Sequence, residues 1–448
     1  MRPVFLAYPQ AQPCTAYLQD LIDRCAESGG GQVRLTAGVY HIATLYLKSH
    51  VELYLDAGVN LQGSSRHEDY SNRCDNHVIM PDKPWWYDAM IAAVHQTDVT
   101  ISGEGVIDGV DCYNPNGEQD FRGPHSVQFL DCTDVRVQGV TIVRSACYNL
   151  IFEHCENVTV SHVCIRGGQD GFRFGGCRHV RVDHCDVRSG DDCIGGSGNE
   201  DIEITDCMLN TPGGATLMLI CRGLRMKRCR IWSPGEYPAV FCTDKRYSLC
   251  ATALVSGFDY GYEWEGFSSD WHIEDTVFEN GSCVFRYEPF IHGRASVPIT
   301  DITLERVRAL NVAEPIIAAC REDVPMRIVI RDSSFHFACE DENCDGTFLR
   351  AENFYSIELD NVQLHNCCEK PIVCRNGQHL TARNVVVRHD LTADGLMTEA
   401  VASTSAQTDP VPVLHSRIAV EDTTSKYYPK EATEEFRGAL PFIPSKVF

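Results

Sequence analysis

Between Leu130 and Tyr237 the chain repeats itself every 22 or 23 residues, and acids recur at one point of the repeat. The apolar anchors Val135, Val158, Val180, Ile202 and Leu224 are separated by steps of 23, 22, 22 and 22. Three residues before them stand Cys132, Cys155, Cys177, Asn199 and Cys221. Five residues after the last three anchors stand Cys185, Cys207 and Cys229. Twelve residues after the anchors stand Cys147, Asp170, Asp192, Gly214 and Glu236. A fixed period of this size means stacked supersecondary units, because one such unit cannot bury its apolar face alone. Carboxylates at equivalent points of adjacent units must then lie close together.

The unit reads as strands. DVRVQGVTIV, NVTVSHVCIR, HVRVDHCDVR and DIEITDCMLN alternate apolar and polar residues, are rich in Val, Ile and Thr, and are broken by Gly, Asp or Asn. Some 22 residues holding two or three short strands make one coil of a right-handed parallel β-helix. Weaker copies, from DVTISGEGVIDG before the region to HLTARNVVVRH after it, extend the count to about ten coils. Neighbouring strands in such a solenoid lie roughly 4.8 Å apart, so equivalent residues form ladders. A solenoid also explains how 448 residues can form one elongated domain, expected over residues 1–390.

The ends differ from the middle. TAYLQDLIDRCAESGGG spaces Leu18, Leu21, Ile22 and Cys25 along one helical face and stops at glycines. A helix over about 14–28 would cap the solenoid. Two aromatic segments interrupt the repeat: Ser64 to Tyr87, and Thr243 to Ser269 with Trp264. They suit sugar stacking, or else they simply cover the sheet surface. Residues 391–448 read as a linker and an arm. The aromatic loops and the arm are the surfaces expected to join copies of the chain in a homo-oligomer.

A net charge of −23 argues against nucleic acid and anionic membranes as partners. No apolar run is long enough to span a bilayer, and MRPVFLAYPQAQPC does not read as a secretory signal. Many of the 23 cysteines fall at inward repeat positions, where reduced thiols pack as small apolar groups. That pattern places the chain in the cytoplasm. No cysteine or histidine spacing makes a clean metal site, and no dinucleotide fingerprint is present, so no cofactor is expected.

GGGQVRLTAGVYHIATLYLKSHVELYLDAGVNLQGS, ISGEGVIDG, RGPHSVQFLDC, QDGFRF and SGDDCIGGSGN together resemble the polygalacturonase-type glycoside hydrolases of family 28 over most of the chain. That family's Asn-Thr-Asp motif stands here as Gly168-Gln169-Asp170, and its Asp-Asp motif is intact as Asp191-Asp192. The resemblance implies a β-helix that hydrolyses glycosidic bonds with inversion. Asp191 would be the general acid, and Asp170 with Asp192 would activate water. Two family motifs are absent. The Gly-His-Gly turn is Pro212-Gly213-Gly214, and the Arg-Ile-Lys motif has only Lys245 and Arg246 nearby. The uronate-reading groups therefore differ, which points to a glycoside other than polygalacturonate.

The acids carry chemistry without the family. Glycoside hydrolysis needs one carboxylic acid to protonate the leaving oxygen and one carboxylate to activate water or attack carbon. Three carboxylates within a few ångströms cannot all ionise freely, so repulsion retains a proton near neutral pH. The plainer alternative is that they are turn aspartates, as Asp98, Asp134 and Asp201 are expected to be. Substrate-binding candidates are Glu236, His125, Lys245, Arg246, Trp264, Arg286 and His292. A β-helix lyase or transglycosylase remains a second reading, and a non-enzymatic carbohydrate-binding β-helix a third. The last leaves Asp170, Asp191 and Asp192 without a shared purpose.

Overall fold

The computed structural model describes all residues except 1–2, 12, 71–87, 213–214, 238–251, 258–265, 292–293, 339–343 and 389–448. The expected linker and arm lie outside the described residues. So do Lys245, Arg246, Trp264 and His292. The described residues fall into two compact units. One comprises residues up to Leu209 together with Tyr237; the other comprises Asn210–Glu236 and the residues from Thr252 onward, Tyr237 and the undescribed segments aside. Each is a stretch of right-handed parallel β-helix.

In the first unit, Gly31–Leu35, Val51–Leu55, Thr97–Gly103, Thr133–Gln138, Glu156–Ser161, Arg178–Asp183 and Ile194–Thr205 pair in parallel succession. The register puts Val99, Val135, Val158, Val180 and Ile202 in one buried column. Their β-branched side chains fit the pleated inner face. A second sheet is built from Ala89–Val94, His125–Leu130, Leu150–Glu153, Phe172–Gly175 and the start of Ile194–Thr205. Inside it, Phe152 stacks on Phe129 at 5.2 Å and on Phe174 at 5.3 Å between ring centroids.

The cysteines also form columns. Cys132, Cys155 and Cys177 are buried, and each thiol donates to a carbonyl two residues earlier. Asn199 ends this ladder by polar means: its Oδ1 accepts from Cys177 N–H at 2.9 Å and its Nδ2 donates to Phe174 O at 2.8 Å. The nineteen cysteines among the described residues are free thiols. Burial pushes Cys221 and Cys320 up to about 12, which makes them packing groups rather than nucleophiles.

Successive paired strands each carry one residue with positive φ: Asp98, Asp134, Asn157, His179 and Asp201 hold φ of 53°, 55°, 58°, 55° and 57°. Short polar side chains such as Asp and Asn tolerate this left-handed region best. Asp98, Asp134 and Asp201, expected in turns, lie within strands, at points where the backbone is left-handed.

Thr15–Glu27 is helical and buries Leu18, Leu21, Ile22 and Cys25, the four residues spaced for that purpose. It packs against Val4–Ala7, Gly31–Leu35 and Leu45–Tyr46. Among the described residues no helix is long and apolar enough to cross a membrane.

In the second unit, Ala215–Lys227, Ser269–Glu274, Asp301–Glu305, Arg327–Phe337, Ser356–His365 and His379–Arg388 pair in parallel. Leu224, Trp271, Ile302, Ile328, Ile357 and Leu380 share one column. The second aromatic segment is not wholly loop. Its apolar run at Thr252–Ser256 is a strand, with Leu254 between Leu217 and Phe285.

Candidate active site

The three aspartates meet in the first unit. Strand pairing aligns Val127 with Leu150, Leu150 with Phe172, and Phe172 with Ile194. Counting back two residues along each strand places His125, Tyr148, Asp170 and Asp192 in one column. The backbone continues the ladder there, with Asn149 N–H donating to Asp170 O at 3.0 Å and Gly171 N–H to Asp192 O at 2.8 Å. Asp191 is tethered separately: its N–H donates to Gln169 O at 3.2 Å, and Ser189 Oγ donates to its carbonyl at 2.7 Å. One carboxylate oxygen from each of Asp170, Asp191 and Asp192 lies within 4.8 Å of the others. Asp170 and Asp191 are buried and Asp192 is half-buried.

None of the three has the positive φ of Asp98, Asp134 and Asp201, so no left-handed backbone accounts for their residue type. Gly171 does have a packing reason, since a Cβ there would lie 2.3 Å from Cys193 O.

Arg122 lies between two of the acids. Its Nη1 donates to Asp170 Oδ2, and its Nη2 donates to Asp191 Oδ2 at 2.7 Å. The guanidinium is buried and lies over the Tyr148 ring, 5.4 Å from its centroid. Arg173 lies 5.6 Å from the same ring and faces Glu153 with Nε and Oε1 3.9 Å apart; both are buried. His125 is buried too, its ring centroid 5.6 Å from that of Tyr148. Gln169 is fully buried, and its amide has no hydrogen-bond partner among the described residues.

The other candidates divide. Glu236 belongs to the second unit, where its N–H donates to Asn210 Oδ1 at 2.7 Å. Arg286, also in the second unit, is buried and donates to both oxygens of Glu288 at 3.1 Å, with Glu314 at 3.8 Å. Burial raises Glu288 above the usual carboxylate range, with Arg286 opposing the shift. That network is an internal ion cluster. A surface depression of about 370 Å³ is lined by Asp134, Asn157, His179 and Asp201 among others, and by none of the triad. Exposed pairs such as His179–Asp201 and Arg181–Glu203 suffice to explain its charges.

Arg122 and Tyr148 were not read as functional from the sequence. Arg122 sits in a loop with no place in the repeat. Tyr148 was hidden by a one-residue offset: the coil between Val135 and Val158 is 23 residues long, so counting twelve from the anchor selects Cys147 instead. The spacing of the triad could accept a cation, but the Arg122 guanidinium already supplies positive charge to two of its members.

Residues 25–216, which contain the whole cluster, match the glycosyl hydrolases of family 28. This stretch is similar to a family 28 domain. The coarse activity that follows is glycoside hydrolysis. Solved structures similar to the chain include the family 28 exopolygalacturonase of Yersinia enterocolitica, at 14% identity and a TM-score of 0.55. That match covers 88% of this chain and 80% of the other. A hyperthermoactive exopolygalacturonase from Thermotoga maritima matches at 16% identity and a TM-score of 0.53, covering 90% and 96%. PfbA, a surface adhesin of Streptococcus pneumoniae, matches at 12% identity and a TM-score of 0.52, covering 89% and 100%. At these identities the likeness establishes the fold, which family 28 shares with proteins of other roles. No curated protein sequence matches the chain.

Proposed function

We propose that the chain is an inverting, exo-like glycoside hydrolase acting on a short oligosaccharide or glycoside, and not a polygalacturonase. The observation that carries the reading is the cluster itself: three carboxylates within 4.8 Å, two of them bound to one buried guanidinium. Carboxyl groups this close can divide the work of acid and base, which is the pair that glycoside hydrolysis requires. Asp191 is proposed as the acid that protonates the leaving oxygen. Asp170 and Asp192, which share a column, are proposed to hold and activate the water. The buried Gln169 side-chain amide has no partner among the described residues, so it fits a role in binding that water or a sugar hydroxyl.

The specificity proposal rests on charge. A uronate needs a cation for its carboxylate. Among the described residues, the buried Arg122 and Arg173 beside the triad already face acids, Arg122 the triad and Arg173 Glu153. Together with the absent Arg-Ile-Lys motif this favours a neutral terminal sugar. A panel of aryl glycosides and plant oligosaccharides, run beside a polygalacturonate digest, tests it. A ladder of galacturonate oligomers would refute the specificity. The likeness to two exopolygalacturonases supports exo action, and makes galacturonate the second substrate to assay.

A second stereochemical reading comes from spacing. Acid and base in inverting enzymes usually stand about 6.5–9.5 Å apart, whereas about 5–5.5 Å suits a retaining enzyme with a carboxylate nucleophile. Oxygens within 4.8 Å lean towards the second on distance alone. The intact Asp-Asp motif leans towards inversion by family resemblance. Proton NMR of the first-formed anomer separates the two. The free described thiols support a reducing, cytoplasmic location for the enzyme.

A further inference from the structure

All three nitrogens of the Arg122 guanidinium are engaged. Nη1 and Nη2 reach Asp170 and Asp191, Nε donates to Gln119 Oε1 at 3.2 Å, and one face covers Tyr148. We propose that Arg122 is a positioning residue that holds Asp170 and Asp191 in one fork and sets the pH window in which the cluster carries a single proton. The proposal rests on the hydrolase reading of the triad.

The loop that delivers Arg122 is built for that position. It links Val106–Asp108 to His125–Leu130 and folds back on itself, with Asn114 N–H donating to Phe121 O at 2.9 Å and Asn116 N–H to Asn114 Oδ1 at 2.9 Å. Tyr113 and Phe121 pack edge to face across it. A Cβ on Gly117 would lie 1.8 Å from Arg122 O, and one on Gly123 would lie 1.9 Å from Cys112 O. Both glycines allow approaches that no other residue would. The loop thus fixes its arginine before any substrate arrives.

The charges around the fork point the same way. Asp170, Asp191 and Asp192 face it from the strand ends. Arg173, Glu153, His125 and Tyr148 surround it on the neighbouring strands. Arg173 faces Glu153, whereas Arg122 donates to two members of the triad. At 2% exposure its charge is poorly screened. A nearby cation favours ionised carboxylates, and its removal favours protonated ones. Both limbs of the activity profile must therefore move to higher pH when the charge is lost. Lysine would keep the charge, but as a point it cannot span two carboxylates.

The test is the pH dependence of kcat/KM for the full chain on whichever glycoside it cleaves. Arg122→Gln should lower kcat/KM by 100-fold or more, on the order expected for disrupted acid–base catalysis. It should also raise both limbs by about 1–3 pH units. Arg122→Lys should leave the limbs near their original positions while lowering kcat. An active Arg122→Gln enzyme with unmoved limbs would overturn the proposal, since a merely structural arginine predicts that result. Full kcat in Arg122→Lys would overturn it independently, even if the Gln variant does not fold. Absence of hydrolysis by the unmodified chain would instead overturn the hydrolase reading, and this proposal with it.

Discussion

Asp191→Asn isolates the acid step. The change removes one ionisable group and almost no volume. Arg122 keeps Asp170 as a partner, and the asparagine oxygen can still accept from Nη2, which now bonds Asp191 at 2.7 Å. Losing one member of a buried ion pair outright costs about 3–5 kcal/mol, because a charge is left unpaired. Here the arginine stays paired, so the stability cost should be nearer 1–2 kcal/mol, the scale of one hydrogen bond to a charged group. The catalytic cost should be larger. General acid catalysis is worth about 10²–10⁴ in rate, or about 2.7–5.4 kcal/mol at 1.36 kcal/mol per decade. That loss should appear with a natural glycoside, whose leaving alkoxide needs a proton. It should shrink at least tenfold with an aryl glycoside whose leaving group departs unassisted. The assay is kcat/KM on both substrates, with urea unfolding followed by circular dichroism to confirm the native fold. Equal losses on the two substrates would refute the acid assignment, as would full activity on the natural one.

Asp170→Asn and Asp192→Asn should each lower kcat/KM by about 100-fold or more on both substrates, because water activation does not depend on the leaving group. Phe152→Ala should cost about 3–5 kcal/mol in urea denaturation, since it empties the middle of a three-ring stack. A cost below 1 kcal/mol would show that the stack is not part of the cooperative core. Thiol titration of the denatured, unreduced protein should find nearly all 23 cysteines reactive. Burial pushes Asp88 up to about 7, against about 3.9 for an unfolded carboxyl, so the folded chain holds that proton more tightly. Its stabilising effect is complete below about pH 4 and is lost as pH rises through about 7. Asp88→Asn should flatten the decline of the urea midpoint between those limits; an unchanged decline would remove Asp88 as its source.

Much of the fold was legible because a solenoid writes its three-dimensional spacing directly into the sequence. The column Val135, Val158, Val180 and Ile202 is a pairing register as well as a period. The same period brought Asp170 and Asp192 together correctly. Its limits have physical causes. A single extra residue in one coil moved the count from Tyr148 to Cys147, because side chains alternate and a one-residue shift changes which residue occupies a column. The strand Thr252–Ser256 was concealed inside a segment dominated by aromatic and glycine residues. Arg122 was unreadable for another reason: it reaches Asp170 and Asp191 across 48 and 69 residues of chain, from a loop with no periodic constraint. Arg286 has neighbours no period could show: it donates to Glu288 and lies beside Glu314.

Trp271 pairs with Leu224 although 47 residues separate them, and Ile101 pairs with Leu53 across 48, where a plain coil would need about 22. Rung spacing is therefore uncoupled from chain length at these corners: a long excursion leaves and returns without disturbing the ladder. Grafting experiments can exploit this. Exchanging such an excursion for that of a relative should leave the hydrogen-bonded frame as it was. Insertion and scaffold can in this way be altered by separate genetic steps.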